Sequence, residues 1–127
     1  MYTWARPQDP FFKQFGEVYF SSIFPGVIKG WNLHARSDTN IVCVKGSIKI
    51  ALCDRRSDSS TIGAIQEITI GHESYNLVHI PHGIAFSWRA LGKEDALVGN
   101  LATELYDPKE LTKIDIQSGE IPYKWDL

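Results

Sequence analysis

A chain of 127 residues, 43% hydrophobic and 22% charged, can bury a core of its own without disulfide or metal staples. Its net charge of −2 offers no concentrated basic surface for nucleic acid or an anionic membrane. No apolar run approaches the roughly 20 residues that cross a bilayer, and no basic, apolar, small-residue leader opens the chain, so a cytoplasmic protein is expected.

Residues 1–16 hold Pro7, Pro10 and the pair Phe11-Phe12 without periodicity, and read as an arm that packs on the body or on a second chain. Residues 17–24 are β-branched and aromatic, which predicts a strand turned by Pro25-Gly26. Residues 27–34 and 40–45 predict two more strands around a charged bend. Gly46-Ser47 reads as the turn of a hairpin into residues 47–54, where Ile48, Ile50 and Leu52 share a face. Residues 55–61 form a polar loop, expected to be exposed and mobile. Residues 65–70 and 75–80 continue the strands up to the turn Pro81-His82-Gly83. A last hairpin is predicted from residues 84–91 and 95–103 across Gly92-Lys93-Glu94. Beyond Asp107-Pro108 the pattern fades, with one helical turn at residues 109–113. Short strands with turn signals every roughly 8–12 residues imply an all-β antiparallel sandwich or barrel. One domain over 1–127 is expected, with an arm (1–16), a barrel (17–107) and a tail (108–127).

Within residues 29–34, strand alternation sends Asn32 and His34 to one face and Trp31 and Leu33 to the other. Two hydrogen-bonding side chains on one face either line a cavity or form a polar outer surface. His34 stands apart from the other histidines because it pairs with Asn32, follows Lys29 and precedes Arg36 and Asp38. Such a set can bind an anion and move a proton, since imidazole titrates near neutrality. His72 and His82 read as exposed turn residues and His79 as a structural histidine. No Gly-x-Ser-x-Gly or glycine-rich phosphate loop is present. Cys43 and Cys53 read as buried, reduced thiols, and no Cys/His spacing suggests zinc.

The run Gly30-x-Asn32-x-His34, then Val44-Lys45-Gly46 and Ile80-Pro81-x-Gly83, resembles the two halves of a cupin signature. That resemblance implies an all-β, cupin-type antiparallel jelly-roll barrel. Residues 26–34, Val44-Lys45-Gly46-Ser47-Ile48, residues 80–85 and Tyr106-Asp107-Pro108 look like the dTDP-4-dehydrorhamnose 3,5-epimerases. The 3,4-ketoisomerases of dTDP-4-keto sugars are similar in length. At the metal-ligand positions of metal-binding cupins this chain carries Asn32, His34, Thr39 and Phe86, a poor donor set, so neither metal nor other cofactor is expected.

By the same resemblance, the epimerases' catalytic histidine falls on Asn32, their lysine near Thr39, and their tyrosine on Gly99 or Asn100. The ketoisomerases' second histidine is kept as His34. The implied roles are His34 as base or acid, Asn32 as polariser of a keto oxygen, and Lys29 as phosphate contact in place of arginine. Arg36, Thr39, Asn100 and Trp88 complete the expected substrate-binding set. The substrate would be a nucleotide sugar and the assembly a homodimer. The alternative is a non-catalytic cupin that binds a sugar or nucleotide sugar after losing the epimerase His/Lys/Tyr set.

Overall fold

The computed structural model describes residues 2–126 and contains, among them, nine strands and no helix. They are β1 Glu17–Ile23, β2 Ile28–His34, β3 Thr39–Lys45, β4 Ser47–Asp54, β5 Ile65–Gly71, β6 Val78–Ile80, β7 Ile84–Leu91, β8 Ala96–Ala102 and β9 Leu111–Ile114. All pairings are antiparallel, in a four-stranded sheet ordered β1-β8-β3-β6 and a five-stranded sheet ordered β5-β4-β7-β2-β9. Alternation drives the sheets together. Ile41 and Cys43 of β3 and Val98 of β8 turn inward onto Ile48 and Ile50 of β4 and Phe86 and Trp88 of β7. No helix among the described residues is long and apolar enough to cross a membrane.

The two expected hairpins are not hairpins. β3 and β4 lie in different sheets, and so do β7 and β8, so both connections cross the sandwich. An alternating apolar face records only that a strand has a buried side; Ile41 and Ile48 meet across the core instead of side by side. Gly46 makes the first crossing with φ of 70°, and a Cβ there would lie 2.7 Å from Asp95 O, at the foot of β8. β4 and β5 do form a hairpin, in register from Ser47↔Gly71 to Cys53↔Ile65.

The loop after β4, expected to be mobile, is organised by a buried carboxylate. Asp54 accepts from Arg56 Nε at 2.9 Å, Ser59 Oγ at 2.6 Å and Thr61 Oγ1 at 2.6 Å. The Arg56 guanidinium holds that carboxyl far below the usual range. The expected helical turn is also replaced: residues 108–110 form a turn and Leu111–Ile114 then pairs with β2 as an edge strand. A chain segment with a hydrogen-bonding edge waiting beside it takes the strand form that local sequence does not advertise.

A terminal segment covers part of each outer face. The N-terminal segment lies on the four-stranded sheet, where Trp4 packs on Phe20 with ring centroids 5.6 Å apart and sits over Gly99. The C-terminal segment covers the five-stranded sheet, where Ile114 and Ile121 join Trp31, Ala51, Cys53 and Ala85 in a second cluster. Cys43 lies in the inner cluster and Cys53 in this outer one, so both thiols are free. Trp31 is fully buried here, and truncating a buried tryptophan costs about 3–5 kcal/mol. Its burial outside commits Asn32 and His34 to the inside.

Candidate active site

The β2–β7 register shifts between Lys29 and Asn32, so Gly30 and Trp31 both turn outward. Lys29, opposite Trp88, thereby shares the inner face with Asn32 and His34. That face and the inner face of the four-stranded sheet enclose a cavity of about 360 Å³, within the ordinary size of a small-molecule site. Asn32 and His34 line one wall, Tyr19 and Asn100 the other, and Glu110, Glu104 and Tyr106 come from the segment between β8 and β9.

His34 is the most constrained group in it. Its ring stacks on Phe86, centroids 6.0 Å apart and planes 17° from parallel. Its Nδ1 lies 2.6 Å from Glu110 Oε1. The other oxygen, Glu110 Oε2, accepts the backbone N–H groups of Ala35, Arg36 and Ser37 at 3.0, 3.1 and 3.3 Å. Burial opposes ionisation of Glu110, but the hydrogen bond from His34 and those from the Arg36 and Ser37 amides outweigh it and hold the carboxyl below its ordinary value. An ionised carboxylate only accepts, so the hydrogen of the His34 ring sits on Nδ1. Nε2 then carries the lone pair, without a hydrogen bond among the described residues, on a ring that lines the cavity. This is the arrangement of a general base oriented by a carboxylate.

The other expected site residues are placed as follows. Asn32, His34 and Asn100 all line the cavity, the first two on one wall and Asn100 on the other. Thr39 is buried on β3, on the face shared with Ile41 and Cys43. Trp88 is 7% exposed and packs on Phe86, inside the core beneath the cavity instead of at its lining. Lys29 has an exposed side chain. Arg36 lies outside the cavity, paired to Asp107 at 3.0 Å. Glu110 and Tyr19 escaped the sequence reading. Glu110 sits 76 residues from His34 in a segment without periodicity, and its nearest signal is the adjacent Tyr106-Asp107-Pro108. Tyr19 looked like any aromatic in a strand.

A second histidine–carboxylate pair lies outside the cavity. Asp38, almost fully buried, accepts from the His82 backbone N–H at 2.9 Å and its Nδ1 at 2.8 Å, and pairs with Lys13 Nζ at 2.6 Å. Burial opposes its ionisation, yet Lys13 and His82 together lower its pKa to about 2. His79 stands 3.7 Å away and bonds Asn40 Oδ1 at 2.7 Å; burial pulls its pKa down. His82, expected as a freely solvated turn residue, is thus anchored to a buried charge.

The model of the dTDP-4-dehydrorhamnose 3,5-epimerase family matches residues 8–127. The chain belongs to that family. Among its relatives is a Haloferax volcanii protein described as a probable low-salt glycan biosynthesis epimerase, Agl13, 34% identical over 83% of this chain and 65% of its own length. A Bacillus subtilis spore coat polysaccharide biosynthesis protein, SpsL, is 30% identical over 84% of this chain and 70% of its own length. The chain therefore spans about two thirds of either relative. A solved dTDP sugar isomerase from Desulfovibrio desulfuricans superposes with a TM-score of 0.93 at 31% identity, covering 97% of this chain and 79% of that one. A Mycobacterium tuberculosis epimerase shares the fold at 21% identity, with a TM-score of 0.81 over 88% of this chain and 57% of that one. The two-sheet sandwich is thus the cupin jelly roll of the epimerase family.

Proposed function

We propose that the protein acts on a nucleotide-linked 4-keto-6-deoxyhexose, moving a proton at a carbon beside the keto group, in glycan or deoxysugar synthesis. The observation that carries this reading is the 2.6 Å contact between His34 Nδ1 and a buried Glu110 that three backbone amides hold in place. Neutral His34 takes the proton on Nε2, and Glu110 stabilises the imidazolium that results. The electron pair left on carbon moves onto the keto oxygen, which the Asn32 amide polarises. A hydrogen beside a carbonyl is acidic enough for such a base, and family membership and the glycan-pathway relatives support this substrate class.

The nucleotide diphosphate lies outside the cavity, whose lining holds Glu17, Glu104 and Glu110 and neither lysine nor arginine. Lys29 and Arg36 are the cations proposed to meet it at the rim. Two copies would join along β1, the free edge of the four-stranded sheet, where Val18, Phe20 and Phe24 are exposed.

Turnover of a dTDP-4-keto-6-deoxyhexose by wild type and His34→Ala tests the assignment. The expected result is product from wild type and a loss of about 10²–10⁴-fold in the variant. Equal turnover overturns the role of His34, and tight binding without product in wild type supports the non-catalytic sugar-binding reading. Sedimentation at micromolar concentration tests the dimer.

A further inference from the structure

A proton taken from carbon on one face leaves the opposite face open for its return, and the wall facing His34 carries a hydroxyl group set up for that task. Tyr19 of β1 and Asn100 of β8 are direct partners in the four-stranded sheet, both on its inner face. Asn100 Nδ2 donates to the Tyr19 hydroxyl oxygen at 2.6 Å. Asn100 is 3% exposed, and its Oδ1 is buried without a hydrogen bond among the described residues. The amide thus occupies a lone pair of the phenol, which leaves the O–H hydrogen free to donate into the cavity. The other hydroxyls of the lining are not held this way: Ser37 Oγ donates to Asp38 O at 3.3 Å, and Tyr106, 69% exposed against 45% for Tyr19, has no hydrogen bond to its hydroxyl among the described residues.

We infer that Tyr19, oriented by Asn100, is the proton donor opposite His34, so that the reaction inverts a carbon next to the keto group. This deepens, and rests on, the reading of the cavity as a 4-keto-sugar site. Neither Asn100 nor Gly99 carries a hydroxyl, and Gly99 faces outward beneath Trp4. The hydroxyl of this wall comes from the neighbouring strand at the same ladder position.

The step balances. The C–H bond facing His34 breaks, its proton passes to Nε2, and its electrons form the enolate. The enolate carbon then takes the Tyr19 hydroxyl proton on its other face, forming a new C–H bond as the O–H bond breaks. Imidazolium and phenolate return to their starting states by proton exchange with water. His34 belongs to the five-stranded sheet and Tyr19 to the four-stranded sheet, so removal and return occur on opposite faces of the sugar. A device that only shifted a carbonyl along the ring would return the proton from the wall that took it.

The test compares wild type, Tyr19→Phe and Asn100→Leu on a dTDP-4-keto-6-deoxyhexose in deuterium oxide. NMR follows two readouts: deuterium entry next to the carbonyl, and formation of the inverted product. Tyr19→Phe should keep exchange within about threefold of wild type through His34 while inverted product falls by about 100-fold. Asn100→Leu, whose phenol is intact but unoriented, should lower product about tenfold relative to exchange. Undiminished product in Tyr19→Phe overturns the assignment and leaves the His34 reading standing, and so does an equal loss of exchange and product. Wild type that neither exchanges nor forms product overturns both. Thermal melts confirm that each variant is folded, and Tyr19→Phe decides the matter if Asn100→Leu is not.

Discussion

Two histidine–carboxylate pairs of nearly equal length lie on this molecule, His34–Glu110 at 2.6 Å and His82–Asp38 at 2.8 Å. They differ in what surrounds them. The His34 side chain is 15% exposed, stacked on Phe86 at a cavity wall, and its carboxylate meets no lysine or arginine among the described residues. The His82 side chain is 49% exposed, and Lys13 already neutralises its carboxylate. A carboxylate whose charge is spent on a lysine has little left to orient or strengthen a base. Contact distance alone therefore does not mark a candidate site; the free charge of the orienting group and a cavity beside the ring do.

The largest expected effect comes from breaking the first pair. Glu110→Gln keeps the shape but loses the charge that stabilises imidazolium, so turnover should fall roughly 100-fold with the fold retained. Kinetics beside circular dichroism would show it. Next comes Asp38→Ala, which takes the acceptor from Lys13 and the His82 N–H groups and should cost about 1–2 kcal/mol in urea unfolding while leaving turnover per folded molecule unchanged. Acid should tell the same story without mutation. Asp38 is held below 3.8, at about 2, and Glu110 below 4.5, so both stabilise fully above those ordinary values and lose that stabilisation as pH falls. Replacing Asp38 by Asn should flatten the lower part of that acid limb. The smallest effect belongs to His82→Gln, a half-exposed partner worth under about 1 kcal/mol, with turnover intact.

The strands, and the sharing of one face by Asn32 and His34, were legible because side-chain alternation records which residues lie together; whether that face turned in or out was not. Sheet membership was not, since Ile41 and Ile48 carry the same pattern whether they lie side by side or meet across a core. The bulge at Gly30-Trp31, which brings Lys29 to the inner face, has no local signature beyond its glycine. His34 was legible as a candidate from its neighbours. Glu110 was not, because its role depends on a turn that β9 fixes against β2, and only the tertiary pairing brings residue 110 under the amides of residues 35–37. Tyr19 was hidden for the same reason: its partner Asn100 lies in a strand far along the chain.

The most direct measurement of the central claim is solvent-deuterium entry into a dTDP-4-keto-6-deoxyhexose, run side by side on His34→Ala and His82→Ala. The account predicts that His82→Ala exchanges like wild type and that His34→Ala does not exchange at all above the buffer rate. Exchange retained in His34→Ala, or lost in His82→Ala with the fold intact, would contradict it.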